Sequence, residues 1–124
     1  MINDLSNSLA DRMVNLTPEV RAFCEENSRK IAGEPPRFQT MADAWVFAVL
    51  EGMKNQTQFE GELKKTKDAF HWRRVNSDFQ KFLLLKVLLD VGLNDALIST
   101  EIRQTELITL LERYAHAGVL IMHQ

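Results

Sequence analysis

The sequence predicts an all-α fold, a compact bundle of about five or six helices that forms a single domain over residues 1–124. Apolar residues recur at three- and four-residue spacing along most of the chain, and no run alternates between apolar and polar side chains as a half-buried strand would. The chain has only 5 Gly and 3 Pro, few for an all-β protein with many tight turns. Its 124 residues are enough for one hydrophobic core but not for two.

The first two predicted helices precede a proline-rich linker. The first, residues 3–16, places four apolar side chains on one face, as their spacing shows. These are Leu5, Leu9, Met13 and Leu16. In the second, Thr17 is the predicted cap, Pro18 takes the first helical position, and the helix runs to about Ala32 before Gly33.

The third predicted helix follows the EPPRF stretch, residues 34–38, whose two prolines favour an extended path. Thr40 opens this helix, and Asp43 three positions later completes a variant capping box. Nearly every residue in MADAWVFAVLEG is apolar, so we expect this helix to be central and buried on most sides. Gly52 and Asn55 mark its predicted end.

The second half of the chain predicts two more long helices. Residues 56–63 are polar and predicted to be irregular. Ser77 is the predicted cap of the next helix, which closes at Gly92, and Thr100 caps the last helix. The predicted core anchors are the bulky residues of these apolar helices. They are Trp45, Phe47, Leu50, Phe82, Leu85 and Leu111.

A basic stretch in the middle of the chain is the candidate contact surface. The formal net charge of −2 excludes a globally basic nucleic-acid binder, but residues 63–86 hold seven Lys and Arg against two Asp. The predicted contacts for a partner or nucleic acid are Lys64, Lys65, Lys67, Arg73, Arg74 and Lys81. Phe70 and Trp72 either stack on unpaired bases or turn inward and leave the cations solvated. The inward role is favoured, because Phe70 and Val75 flank Trp72 at helical spacing, and stacking on bases is the alternative.

No catalytic site, metal site or cofactor is predicted. The three histidines are scattered without metal-ligand spacing, and phosphate-binding and hydrolase motifs are missing from the sequence. Cys24, the only cysteine, is predicted to be a buried, inert thiol. Because no catalytic motif is found, we expect that the protein is not an enzyme. The N-terminus has no secretory pattern and no apolar run is long enough to span a membrane, so we also expect a cytoplasmic protein.

Two stretches carry a resemblance to a known family. RFQTMADAWVFAVLEG has a Phe, Thr, Asp, Phe-Ala and Gly pattern, and ERYAHAGVLIM has Glu, Tyr-Ala and Gly, with Arg113 interrupting. The residues concerned are Phe38, Thr40, Asp43, Phe47, Ala48 and Gly52, then Glu112, Tyr114, Ala115 and Gly118. Over roughly residues 15–123 the chain resembles the DNA phosphorothioation-associated protein 4 family, small bacterial proteins encoded beside sulfur-modification and restriction genes.

The resemblance implies an accessory role in DNA-modification-linked defence against phage, and it carries over no catalytic residues. The leading expectation is therefore a non-enzymatic accessory protein that docks onto a larger protein of such a complex. The alternative is a small DNA-binding or regulatory protein that uses the basic residues 64–86, with at most a weak DNA contact. The Phe- and Leu-rich helix after Ser77 disfavours reading of base edges. The apolar chain end GVLIMHQ leaves a homo-oligomer open as well.

Overall fold

The computed structural model describes residues 2–29, 33–91 and 101–123, and the described chain is mostly helical with one small antiparallel sheet. The prediction of a purely all-α fold is therefore wrong, although its helical majority is confirmed. In chain order the elements are α1 (Ile2–Leu9), β1 (Met13–Leu16), α2 (Pro18–Ser28), α3 (Met41–Lys54), β2 (Lys67–His71), a 3₁₀ turn (Trp72–Arg74), α4 (Ser77–Val91) and α5 (Glu101–Met122). The predicted helix end at Gly92 and cap at Thr100 lie outside the described residues.

Side-chain caps fix the starts of α2 and α3. The Thr17 hydroxyl accepts a hydrogen bond from the Val20 N–H at 3.3 Å, and Pro18 takes the first helical position as predicted. The Thr40 hydroxyl accepts from the Asp43 N–H at 3.1 Å in the same way. In both places a short polar side chain satisfies a backbone donor that the helix itself leaves open.

Three predicted helix boundaries need correction. The α2 helix ends at Ser28, short of the predicted Ala32, because Arg29 is already extended. Gly52 lies inside α3, which ends at Lys54 with Asn55 as its C-cap. The cap of α4 is Asn76 rather than Ser77, since the Asn76 side-chain oxygen accepts from the Asp78 N–H at 2.9 Å.

The sheet joins two segments that are far apart in sequence. Residues 13–16, predicted as the end of the first helix, form β1 and pair antiparallel with β2. The register places Val14 opposite Phe70 and Leu16 opposite Lys67, with an irregularity between Val14 and Asn15. Pairing continues into the 3₁₀ turn, where the Trp72 N–H donates to the Arg12 carbonyl at 2.8 Å. The sheet thus fixes the middle of the predicted basic stretch against the N-terminal part of the chain.

Two tryptophans mark the centre of the hydrophobic core. Trp45 and Trp72 are fully buried, and their rings meet edge to face at 6.4 Å between centroids. Phe70 packs on Trp45 in a similar arrangement at 5.8 Å. The Trp72 ring N–H donates to the Ser6 hydroxyl at 3.2 Å, which ties α1 to the same centre.

The six predicted core anchors have three different outcomes. Trp45 and Leu111 are fully buried, and Phe47 and Leu50 are partly buried against the core. The prediction is wrong for Phe82 and Leu85, which are 52% and 49% exposed. These two residues lie on α4, which turns a different apolar face toward the core. That face consists of Leu83, Leu84 and Val87.

Helices α3 and α5 cross with their backbones in close approach. A Cβ added at Gly118 would overlap the Ala48 carbonyl oxygen and lie 3.0 Å from the Gly52 nitrogen. A Cβ added at Gly52 would likewise overlap the carbonyl oxygen of Tyr114. Only glycine fits at these two positions. Four residues that carry the family resemblance therefore meet at one helix crossing, where they act in packing.

Candidate functional site

The predicted basic surface is exposed, but its aromatic residues face inward. The six predicted contact residues, Lys64, Lys65, Lys67, Arg73, Arg74 and Lys81, are all exposed. Trp72 is fully buried, so its ring cannot stack on a nucleic-acid base, and Phe70 is partly buried against the core. Of the two roles predicted for Phe70 and Trp72, the structure has the one in which the rings turn toward the core.

The basic residues of this stretch come from different elements of the fold. Lys67 begins β2, and Arg73 follows its far end, so the strand alone separates them by about 13 Å at 3.3 Å per residue. Arg73 is paired with Asp11 on the loop after α1. The cations thus come from several segments of the chain, and one of them is already paired with a carboxylate.

An exposed apolar stripe on α4 is the most unusual surface feature of the described chain. Phe79, Phe82, Leu85 and Leu89 are 41%, 52%, 49% and 73% exposed. At 100° per residue these four side chains fall within about 120° of the helix circumference, so they form one continuous face. Contiguous exposed apolar patches are uncommon on soluble monomers and generally mark sites of interaction.

The stripe borders a groove between α4 and α3. The groove has a volume of about 780 Å³. Its apolar lining comes from Phe47, Leu50, Met53, Phe82 and Tyr114, and its polar lining from Glu51, Lys54, Gln56 and Lys86. Phe47 and Leu50, which the sequence assigned to the core, are therefore partly exposed because they form one wall of this groove.

Positive charge surrounds the groove. The Arg37 guanidinium lies over the Phe47 ring at 5.3 Å from its centroid and over the Phe38 ring at 5.6 Å. Lys54 and Lys86 lie along the groove itself, where Glu51 is the carboxylate that lines it. Two lysines and one glutamate therefore line the groove, and Arg37 lies beside it, in contrast with the net charge of −2 for the whole chain.

A second polar cluster lies between β1 and α5. A Glu112 carboxylate oxygen accepts from the Asn15 N–H at 2.6 Å, and the His116 Nδ1 pairs with the Thr17 hydroxyl at 2.8 Å. Burial raises the pKa of Glu112 to about 7, against the opposing effect of the Asn15 hydrogen bond, while the charge of Asp68 raises it further. Burial also lowers the pKa of His116, and the charge of Glu19 opposes this.

This buried cluster ties the sheet to α5. Glu112 and His116 are one helical turn apart. Asn15 on the facing strand and Thr17 just after it are two residues apart, so the two pairs match in spacing. The role of this pair was not predicted from the sequence, where Glu112 belongs only to the resemblance and His116 is one of three scattered histidines. The matching spacings were the available signal, but using it required knowing that residues 13–16 form a strand.

Cys24 and the possible metal ligands show no sign of a reactive site in the part of the chain that the structure describes. Burial raises the pKa of the Cys24 thiol to about 12, far from that of a reactive thiolate. Among residues 2–29, 33–91 and 101–123, no three His, Cys, Asp or Glu side chains converge to hold a metal ion. In the same ranges, none of the helices has the length and apolar character needed to cross a membrane.

No family model, curated protein or solved structure matches this chain.

Proposed function

We propose that this protein is a non-enzymatic accessory component of a bacterial DNA-modification or phage-defence system, and that it docks onto a larger protein through α4. The link to such a system comes from the sequence resemblance in α3 and α5. The docking mode rests on a single observation, the exposed face of Phe79, Phe82, Leu85 and Leu89 beside the groove. Burying an apolar face of this kind against a partner is favourable, because it removes apolar surface from water.

The charge around the groove favours a different protein over a second copy of this chain. A two-fold axis would place the same groove of each copy against the other, because such an interface uses the same surface on both. Arg37, Lys54 and Lys86 of one copy would then lie in the same interface as the same three cations of the other. Like charges brought together at an interface cost free energy, so a partner with acidic side chains fits better.

The DNA-binding alternative has weaker support. Its six cations come from the loop before β2, from β2, from the 3₁₀ turn and from α4. Of the aromatic residues between them, Trp72 is fully buried and Phe70 is partly buried against the core. With a net charge of −2, the chain lacks the long-range field that steers proteins toward DNA.

Complementation of a gene deletion tests the proposal. In the bacterium that carries the gene, deletion should lower protection against phage or the sulfur content of the DNA. Wild-type protein should restore it, whereas the Phe82→Glu/Leu85→Glu variant should not, because two buried carboxylates at the docking face would be left without partners. Both residues are about half exposed, so the variant should fold, which circular dichroism checks.

The matched control is Lys64→Glu/Lys65→Glu, which alters the basic stretch instead. We expect it to complement fully. Full complementation by Phe82→Glu/Leu85→Glu, with failure by the lysine variant, would favour the DNA-binding alternative. A deletion that changes neither phage plating nor DNA sulfur would contradict the proposed role itself.

A further inference from the structure

We infer that the groove between α3 and α4 binds an acidic amphipathic helix of the partner protein. This inference rests on the proposed function and specifies the partner's chemistry. The occupant is argued from the shape of the groove, from the backbone groups around it and from its charge.

The walls of the groove favour a helix as its occupant. Both walls are helices, α3 and α4, whose interior backbone N–H and C=O groups are already bonded within the helix. An extended peptide laid between them would find no backbone partners, whereas a helix satisfies its own. The exposed stripe from Phe79 to Leu89 spans ten residues, about 15 Å, which corresponds to about three turns of a bound helix.

The apolar lining sets the spacing of the anchor residues. Phe47 and Leu50 are three residues apart on one wall, and Phe82 lies on the other. Leu85 follows Phe82 by three residues on the adjoining exposed stripe. A helix with apolar side chains at i, i+3 or i+4, and i+7 would place one anchor per turn between these pairs. Aromatic residues such as Phe47 and Phe82 supply large contact areas in such grooves.

The charge around the groove selects acidic flanks. Arg37 is held over Phe47, Lys54 ends α3, and Lys86 lines the opposite wall. Carboxylates on either side of the anchor stripe would reach these cations at the rim. Rim charges of this kind contribute mainly to specificity and to the rate of encounter.

Two labelled synthetic peptides test the inference on the purified full chain. The first is a helix of about 18 residues with Leu at the anchor positions and Glu on its flanks, long enough to fold on binding. The second has Lys in place of every Glu. In fluorescence anisotropy the acidic peptide should bind about tenfold more tightly than the basic one, the effect of about two rim ion pairs.

Variants locate the binding site. Phe82→Glu/Leu85→Glu should weaken binding of the acidic peptide by about 30-fold or more, as expected when central anchors are lost. Lys54→Glu/Lys86→Glu should remove or invert the preference between the peptides. Lys64→Glu/Lys65→Glu makes the same change in charge elsewhere and should leave the preference intact.

Several results would overturn the inference. They are equal binding of both peptides, no binding of either at about 1 mM, and loss of preference in the Lys64/Lys65 variant but not in the Lys54/Lys86 variant. Tighter binding of a labelled DNA duplex, or of vesicles containing phosphatidylglycerol, would assign the face to another class of ligand.

The peptide and complementation results separate the two proposals. If Phe82→Glu/Leu85→Glu fails to complement while both peptides bind equally, the docking function stands and the acidic helix is wrong. If the acidic peptide is preferred but the variant complements fully, the groove binds such helices and the proposed function fails.

Discussion

Gly118→Ala should lower the free energy of unfolding by about 3 kcal/mol, even though alanine is the better helix former by about 1 kcal/mol. The new methyl group would overlap the Ala48 carbonyl oxygen and approach the Gly52 nitrogen. Both are backbone atoms inside α3, so no side chain can rotate away to make room. Helices α3 and α5 would have to move apart, and this would loosen the packing around the buried Leu111.

Urea denaturation of the purified variant measures this effect. Gly61→Ala is the matched control, because the added methyl there meets only the Phe59 ring, a side chain that can shift. We expect the control to change stability by less than about 1 kcal/mol. A Gly118→Ala protein as stable as the wild type, or more stable, would show that the two helices do not cross as closely as described.

Glu112→Gln should stabilise the protein by about 3 kcal/mol at about pH 8 and change it little near pH 4. The folded protein holds the Glu112 proton up to a pKa of about 7, against an ordinary value of 4.5. The contribution of protonated Glu112 to the free energy of unfolding is therefore fully present below about pH 4.5, and it is lost as the pH rises through 7. Gln carries no charge at any pH, and its side-chain oxygen can still accept from the Asn15 N–H.

The difference between variant and wild type isolates Glu112 from other titrating groups. His116 titrates in the opposite sense, since its lowered pKa reduces stability as the pH falls below 6.5, but it is present in both proteins. Urea midpoints at about pH 4.5 and about pH 8 provide the comparison. If Glu112→Gln were equally more stable than the wild type at both pH values, or less stable at the higher one, Glu112 would not be a buried carboxylate that costs stability when ionised.

Structural features that depend on neighbouring residues, such as helix caps, could be predicted from the sequence. Thr17 with Pro18, and Thr40 before an apolar run, identified two helix starts because a cap acts within three residues. The β1 strand was missed for the opposite reason. Met13 and Leu16 continue the helical spacing of Leu5 and Leu9, and the strand exists only because it pairs with residues more than 50 positions away.

The α4 helix shows why the candidate site was assigned to the core. Its sequence is apolar on both faces, so periodicity could not decide which face is buried. Packing against α1 and the rest of the core buries Leu83, Leu84 and Val87, which leaves Phe82 and Leu85 outside. For the basic residues 64–74, the sequence favoured an inward orientation of Phe70 and Trp72, and the burial of Trp72 agrees with it.

Site-specific photo-crosslinking in the native bacterium tests most directly whether α4 is the docking face. Benzoylphenylalanine would replace Phe82 in one strain and Arg74, on the basic stretch, in the other. Both positions are exposed, so each can report a neighbour. We expect an adduct from position 82 with a protein of the modification or restriction machinery, identified by mass spectrometry, and none from position 74. An adduct from position 74 with DNA or protein, and none from position 82, would contradict it.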